Sequence, residues 1–355
     1  MPDEPKSGAP PRSAGAIPQR RFPQAWPKDR RFRILALDGG GIRGIFPASV
    51  LAGLEHRYTG GRPIGAYFDL VTGTSTGGIL ALGLGAGYSA RELADLYIER
   101  GGEVFPPRRH GLFGRLEHAY APAAQLLARH RYERVALETL LQDQLGDRLM
   151  GDSTVRLAIP AFEGRHSEVF VFKTPHHPDY RIDRFERMVT VGLATAAAPT
   201  YFRALDHAGY TLVDGGVWAN NPVMLGVIEA LTCFDIDRDQ IDVLSIGCGD
   251  DPFYVRSRWL KAGGFWQWRK MIFAAMRLQS LAATNQARLL LGPPSVHRID
   301  APTNEDKLAL DDWLRAKAEL PPAAELALDE FGSSIAKVFL EQPVPAYEPV
   351  PPEVA

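Results

Sequence analysis

Short apolar runs alternate with amphipathic segments along most of the chain. The apolar runs predict buried strands at 33–37, 68–71, 154–162, 167–174, 210–216 and 241–247. Helical spacing of apolar residues predicts helices at 45–58, 77–87, about 89–100, 132–145, 185–198 and 222–231. Strands that alternate with helices are typical of an α/β layered fold with a mostly parallel sheet.

Both ends of the chain lack this alternation. Residues 1–30 contain seven prolines and mixed charges, and residues 341–355 have the same character. We expect a flexible, proline-rich leader and tail. The leader has no apolar core of the kind that a signal peptide needs. Between the two ends there is no internal repeat and no second linker, so one compact domain is expected over about 31–340.

Composition and charge exclude several classes of function. The 355 residues carry a formal net charge of -2, which gives no basic footprint for DNA or RNA binding. The two cysteines, Cys233 and Cys248, form neither a disulfide scaffold nor a metal-spaced cluster. No run reaches the ~18 apolar residues that a membrane-spanning helix needs. We therefore expect a cytoplasmic protein that meets membranes only at their surface.

The segment "DGGGIRG" (38–44) closes the first predicted strand and precedes a helix. Its glycines, Gly39, Gly41 and Gly44, satisfy the G-x-G-x-x-G pattern of dinucleotide-binding proteins. Asp38 argues against a nucleotide, because it would face and repel a pyrophosphate. Adjacent glycine N–H groups at a helix start also suit an oxyanion, and Arg43 would add positive charge. A plain tight turn with a surface arginine is the remaining alternative.

The segment "TGTSTGG" (72–78) follows the second predicted strand. Gly73, Ser75 and Gly77 form the G-x-S-x-G pattern, in which small neighbours allow a sharp turn that exposes the serine hydroxyl. Such a serine acts as a nucleophile only when a base lies within hydrogen-bond reach. Otherwise Ser75 is one polar residue in a glycine-rich turn.

Two residues are candidates for that base. In an α/β-hydrolase the order is Ser, Asp, His, and of the later histidines only His297 follows a plausible acid. His297 has no strand-end context, so we expect an ordinary surface histidine. Asp214 ends an apolar strand before Gly215 and Gly216, at the sheet edge where sites in α/β folds assemble. Burial would raise its pKa and make it a usable base; alternatively, Asp214 only forms a turn.

Four segments in this order, "DGGGIRG", "GTSTGG", "ATAAAPTYF" and "DGGVWANNP", resemble the patatin-like phospholipases. The resemblance implies a three-layer α/β fold whose mostly parallel sheet is flanked by helices. Its catalytic core would span 31–231, and residues 232–340 would supply the last strands and C-terminal helices. It further implies a lipid acyl hydrolase that needs no metal or other cofactor.

The same resemblance implies a role for individual residues. Ser75 would be the nucleophile and Asp214 the general base of a Ser–Asp dyad, which explains the lack of a triad histidine. The amides of Gly39, Gly40 and Gly41 would form the oxyanion hole. The supporting motif positions are Asp38, Arg43, Gly44, Gly73, Gly77, Gly215 and Gly216.

The opening "RILALDGGGIRGIFPASVLAGLE" and the segment "LAATNQARLLLG" (281–292) are also similar to bacterial patatin-like effectors of antiphage signalling systems. Those phospholipases are switched on by a cyclic dinucleotide and degrade the host membrane. The similarity implies phospholipid substrate at the inner membrane, a cyclic oligonucleotide activator and self-association on activation. It assigns no ligand-binding residues. A constitutive housekeeping lipase, a nucleotide-binding oxidoreductase and a non-catalytic ligand sensor remain as alternatives.

The segment 259–281 combines three tryptophans with several basic residues. Tryptophan beside lysine or arginine suits a lipid headgroup interface. A core-packing helix whose basic side chains reach solvent, or a regulatory surface, would give the same pattern.

Overall fold

A computed structural model of the chain describes residues 20–107, 130–249, 271–302 and 308–351, with the side chains of 271–275 left out. The strands are β1 Phe32–Leu37, β2 Leu70–Gly73, β3 Arg156–Glu163, β4 Glu168–Lys173, β5 Leu205–His207, β6 Tyr210–Asp214, β7 Ile241–Ile246 and β8 Val296–Ile299. The helices are α1 Ile45–Tyr58, α2 Thr76–Gly85, α3 Ala90–Val104, α4 Arg134–Leu145, α5 Met188–Thr195, α6 Gly216–Ala219, α7 Val223–Cys233, α8 Met271–Leu291 and α9 Trp313–Ile335.

One sheet in the order β5-β6-β3-β2-β1-β7-β8 organises the chain. The five strands from β3 to β8 in this order run parallel. β4 and β6 both pair antiparallel to β3, and β5 pairs antiparallel to β6. The expected mostly parallel α/β sheet is confirmed.

Side chains of β1 alternate between two cores, one on each face of the sheet. Leu35 and Leu37 enter the larger core, which contains residues of α1, α2, α3 and α9. Ile34 and Ala36 enter the second core, with residues of α7 and α8. Because both faces are covered, the strand is apolar throughout rather than alternating with polar residues. The expected three layers are therefore present.

Most predicted elements form with shifted ends. The capping box of Ser89 and Glu92 opens α3, which continues to Val104. The helix predicted over 185–198 is limited to Met188–Thr195, and β2 starts two residues later than the apolar run. The short strands β5 and β8 lacked a sequence signal. Residues 259–270 lie outside the described ranges, whereas 271–281 belong to α8.

The expected flexible ends are partly wrong. Trp26 is only 7% exposed, and its ring packs against Phe32 and Phe234. In the tail, the N–H of Val344 donates to the Ala66 carbonyl at 2.9 Å, and that of Val350 donates to the Pro175 carbonyl at 2.8 Å. Residues between the prolines keep their amide donors, so the described parts of the two segments, from residue 20 and up to residue 351, pack along the domain. Within the described ranges, no helix is long and apolar enough to span a membrane.

Candidate active site

Ser75 lies on a sharp turn between β2 and α2. Its backbone angles are φ 54° and ψ -119°, a strained conformation that non-glycine residues rarely adopt. A Cβ atom on Gly73 would collide with the Gly77 carbonyl, and one on Gly77 would collide with the Leu37 carbonyl. The turn that presents the serine therefore requires glycine at both positions, as the G-x-S-x-G pattern predicts.

Two threonine hydroxyls hold this turn. The Ser75 N–H donates to Thr195 Oγ1 at 3.0 Å, and the Thr195 hydroxyl donates to the Pro160 carbonyl at 2.7 Å. The Thr74 hydroxyl donates to the Ala219 carbonyl at 2.6 Å. Thr195 and Ala219 belong to the "ATAAAPTYF" and "DGGVWANNP" segments, so segments that are far apart in the sequence meet around Ser75. The role of Thr195 was not predicted, because only the fold brings it to the turn.

Asp214 lies near Ser75 because β2 and β6 both pair with β3. Thr72 of β2 is paired with Ala158, and Asp214 of β6 is paired with Ala161. β4 occupies the other edge of β3 over both residues, so β2 and β6 share one edge. β6 therefore approaches the point where β2 has ended at the turn. The prediction placed Asp214 correctly but for a wrong reason, because β6 is antiparallel rather than parallel to β2.

The Asp214 carboxylate is buried next to the Ser75 hydroxyl. The Gly216 N–H donates to Asp214 Oδ1, at 2.7 Å. Burial raises the pKa of Asp214 to about 6, and the Ser75 hydroxyl and the Gly216 N–H limit the rise. Asp214 is thus a stronger base than an exposed aspartate, yet it is mostly ionised at pH 7. Gly215 is needed beside it, since a Cβ there would collide with the Pro160 carbonyl.

The glycine turn after β1 lies beside Ser75, but its three amides are not equivalent. The Gly39 N–H donates to the Asn220 carbonyl at 3.0 Å, so the prediction that it serves an oxyanion is wrong. In the part of the chain that the structure describes, the N–H groups of Gly40 and Gly41 have no protein acceptor. Gly41 has φ 58°, and a Cβ on Gly40 would collide with Cys248. These two amides are the available donors.

Two charged residues of the motif are buried rather than exposed. Asp38 forms a bidentate ion pair with Arg298, at 2.9 and 2.6 Å. The expectation that its carboxylate would face a group bound at the glycine turn is therefore wrong. The Arg43 guanidinium donates to the Gly249 carbonyl at 3.0 Å, and the residue is 7% exposed. Arg43 is therefore not a surface arginine. Gly44 allows close contact with α2, where a Cβ would collide with Thr76 Oγ1.

A cavity of about 360 Å³ opens onto Ser75, Asp214 and the glycine turn. Its walls are mainly apolar and include Ile79, Leu96, Val104, Leu137, Leu140, Phe202 and Met276. Such a space suits an acyl chain whose ester carbonyl would lie at Ser75. None of the described residues that line it is a histidine.

His297 lies in β8 and not in this cavity. Its half-buried ring packs edge-on against Phe339, with ring centroids 5.4 Å apart. The expectation of an ordinary surface position is therefore wrong, although the residue is indeed outside the candidate site.

One buried cluster elsewhere has side chains that metals use. Ligand atoms of His176, Glu229 and Cys233 lie within 4.8 Å of one another. The Glu229 carboxylate, however, already accepts hydrogen bonds from Lys173, Tyr180 and His176. Burial lowers the pKa of His176 to about 4, so its ring is neutral. These contacts satisfy the cluster as a buried polar network.

Comparisons with known proteins agree with this geometry. The family model "Patatin-like phospholipase" matches residues 35–227. The chain is 32% identical to a cGAMP-activated phospholipase of Escherichia coli (strain TW11681), over 86% of this chain and 85% of that protein. It is 36% identical to the protein of the same name from Pseudomonas aeruginosa (strain BWHPSA011 / Pa011), over 74% of this chain and 76% of that one. The chain belongs to the patatin-like phospholipases and is a lipid acyl hydrolase.

Proposed function

We propose that the chain releases fatty acids from membrane phospholipids with Ser75 as nucleophile and Asp214 as the only general base. The observation that carries this proposal is the position of the Ser75 hydroxyl next to the buried Asp214 carboxylate, with both residues lining an apolar cavity. A serine hydroxyl held against a base of raised pKa is the arrangement that nucleophilic catalysis needs.

In the first half-reaction, Ser75 Oγ bonds to the ester carbonyl carbon while its proton passes to Asp214. The N–H groups of Gly40 and Gly41 stabilise the tetrahedral oxyanion, and such donors contribute about 3 kcal/mol each. Collapse of this intermediate breaks the ester bond. The lysophospholipid alkoxide leaves with the proton from Asp214, and the acyl group stays on Ser75.

In the second half-reaction, Asp214 takes a proton from water as the oxygen attacks the acyl-enzyme. Collapse of the second intermediate returns that proton to Ser75 Oγ and releases the fatty acid. The strained Ser75 backbone keeps Oγ at the cavity during both steps.

A cyclic dinucleotide controls this activity, as the names of the Escherichia coli and Pseudomonas relatives suggest for this chain. An unrestrained phospholipase would attack the membrane of its own cell, so conditional activity fits the chemistry. Turning a 1:99 population into 99:1 requires that the ligand bind the active state more tightly by about 5.5 kcal/mol. We propose that this difference arises through self-association and that the active protein contacts the inner membrane.

The test is fatty-acid release from vesicles of bacterial phospholipids, with and without a series of cyclic dinucleotides, alongside fluorophosphonate labelling. We expect one cyclic dinucleotide to raise the rate and to increase the sedimentation coefficient. Ser75→Ala should abolish both release and labelling, whereas Ser334→Ala, remote in α9, should change neither. Release by a folded Ser75→Ala protein would refute the dyad. Full activity without any ligand would instead indicate a constitutive lipase.

A further inference from the structure

The glycine turn is held at both of its ends by one chain of hydrogen bonds. At its start, Arg298 donates from Nη1 to Asp38 Oδ1 at 2.9 Å and from Nη2 to Asp38 Oδ2 at 2.6 Å. Arg298 lies in β8, two strands away from β1 in the sheet. Its Nη1 also donates to Ser245 Oγ of β7, at 2.8 Å. The arginine thus links the ends of three parallel strands.

The same series of hydrogen bonds continues to the far end of the glycine turn. Arg298 Nη2 donates to Asp300 Oδ2 at 2.6 Å, and Asp300 Oδ1 accepts the Gly249 N–H at 2.8 Å. The Gly249 carbonyl in turn accepts from Arg43 Nη1 at 3.0 Å. Asp38 and Arg43, which flank the two available amides, are therefore joined through Arg298, Asp300 and Gly249.

The packing around these hydrogen-bonded residues leaves their side chains little room for movement. A Cβ on Gly247 would collide with both Arg298 and Asp300, and one on Gly40 would collide with Cys248. The side chains of Arg298 and Asp38 are 12% and 4% exposed. A planar guanidinium that meets a carboxylate with two hydrogen bonds fixes its orientation as well as its position. Removing the arginine would take two charge-assisted hydrogen bonds from the buried Asp38 carboxylate.

We propose that Arg298 is a positioning residue for the reaction: through Asp38 and Asp300 it holds the Gly40 and Gly41 N–H groups where the oxyanion forms. This inference rests on the proposed function. A displacement of about 1 Å at such donors can lower the rate about 100-fold. The apolar walls that bind an acyl chain come mainly from α2, α3, α4 and α5–β5, so substrate binding should be affected far less.

The chain offers a matched control at the opposite end of β7. Arg31 also meets a buried carboxylate with two nitrogens, Nη2 lying 2.6 Å from Asp242 Oδ1 and Nε contacting Oδ2. Arg31→Met and Arg298→Met therefore remove the same kind of ion pair, Arg31–Asp242 just before β1 begins and Arg298–Asp38 just after β1 ends. Only the second pair adjoins the glycine turn.

The experiment compares steady-state hydrolysis of a short-chain p-nitrophenyl ester by the full chain, with the cyclic dinucleotide that activates the wild type. We expect Arg298→Met to lower kcat about 10- to 100-fold with KM changed less than about three-fold. A trifluoromethyl ketone, which forms an oxyanion on the serine, should lose affinity in parallel with kcat/KM. Arg298→Lys should recover part of kcat, because it keeps the charge but loses the bidentate geometry.

Asp38→Asn provides a second variant if Arg298→Met does not fold, since it keeps the shape of the side chain and leaves Arg298 paired with Asp300. A similar loss of kcat and of ketone affinity in this variant supports the inference. Equal losses in Arg31→Met, or losses confined to KM, would overturn it. Absence of Ser75-dependent hydrolysis in the wild type would refute the proposed function instead, which keeps the two failures distinct.

Discussion

The Ser75 hydroxyl lies next to the Asp214 carboxylate, because β6 pairs with the same edge of β3 just beyond the end of β2. The two residues are close because β2 ends where β6 begins to pair with β3. No imidazole is needed between the two groups, because the carboxylate itself lies within reach of the hydroxyl.

The rate of ester hydrolysis should depend on the ionisation of Asp214. Burial raises the pKa of this carboxyl to about 6, and only its ionised form can accept the Ser75 proton. We expect kcat/KM to rise about ten-fold per pH unit below pH 5 and to level off above pH 7. A pH profile of a soluble ester substrate measures this. A half-maximal rate near pH 4 would contradict the raised pKa.

Asp214→Asn should separate activity from stability. It should lower the rate at least about 100-fold, because an amide cannot accept the proton. Since the folded-state pKa of about 6 exceeds the unfolded value of 3.8, the folded protein binds this proton more tightly. Ionised Asp214 therefore destabilises the fold, fully above about pH 7 and not at all below about pH 3.8.

The Asn variant should accordingly be more stable than the wild type by up to about 3 kcal/mol at pH 8. Denaturant unfolding at pH 8 and pH 4 tests this, and the difference should shrink at the lower pH. A variant that is less stable than the wild type at pH 8 would show that burial of the charge carries no such cost.

Thr195→Val should loosen the serine turn. It removes the acceptor of the Ser75 N–H and the donor to the Pro160 carbonyl, and buried groups left without partners cost about 1–3 kcal/mol each. We expect reduced kcat together with a lower free energy of unfolding. Thr232→Val, on α7 where the hydroxyl binds its own helix, is the control and should affect neither. Unchanged kcat in Thr195→Val would mean that the turn keeps its shape without this support.

His297→Ala should lower stability but leave activity unchanged, in contrast to Asp214→Asn. The ring packs against Phe339, so its loss should lower stability by about 1–2 kcal/mol as a buried contact is removed. Ester hydrolysis by the folded variant should stay close to that of the wild type. A loss of activity comparable to that of Asp214→Asn would instead identify a conventional triad.

Sequence reasoning succeeded where a short segment determines its own geometry. Gly73, Gly77 and Gly215 sit where a Cβ would collide with a nearby backbone carbonyl, so the local sequence pattern predicts the turn. Sequence reasoning failed where a residue's hydrogen-bond partner comes from a distant part of the chain. Nothing near Gly39 indicates that Asn220 takes its amide, and nothing near Asp38 indicates Arg298. β8 was missed because only its first and last residues are buried, which gives no clear periodicity.

The hydrogen bonds among the turns of the candidate site do not include the helix that lines part of the cavity wall. The glycine turn, the serine turn and the segment after Asp214 are tied together through Asn220, Ala219 and Thr74, so a change in any one of them is transmitted to the rest. Leu137 and Leu140, on α4, line the cavity and take no part in that network. Acyl-chain length preference can therefore diverge among relatives by changes on this helix while the reacting groups stay in place.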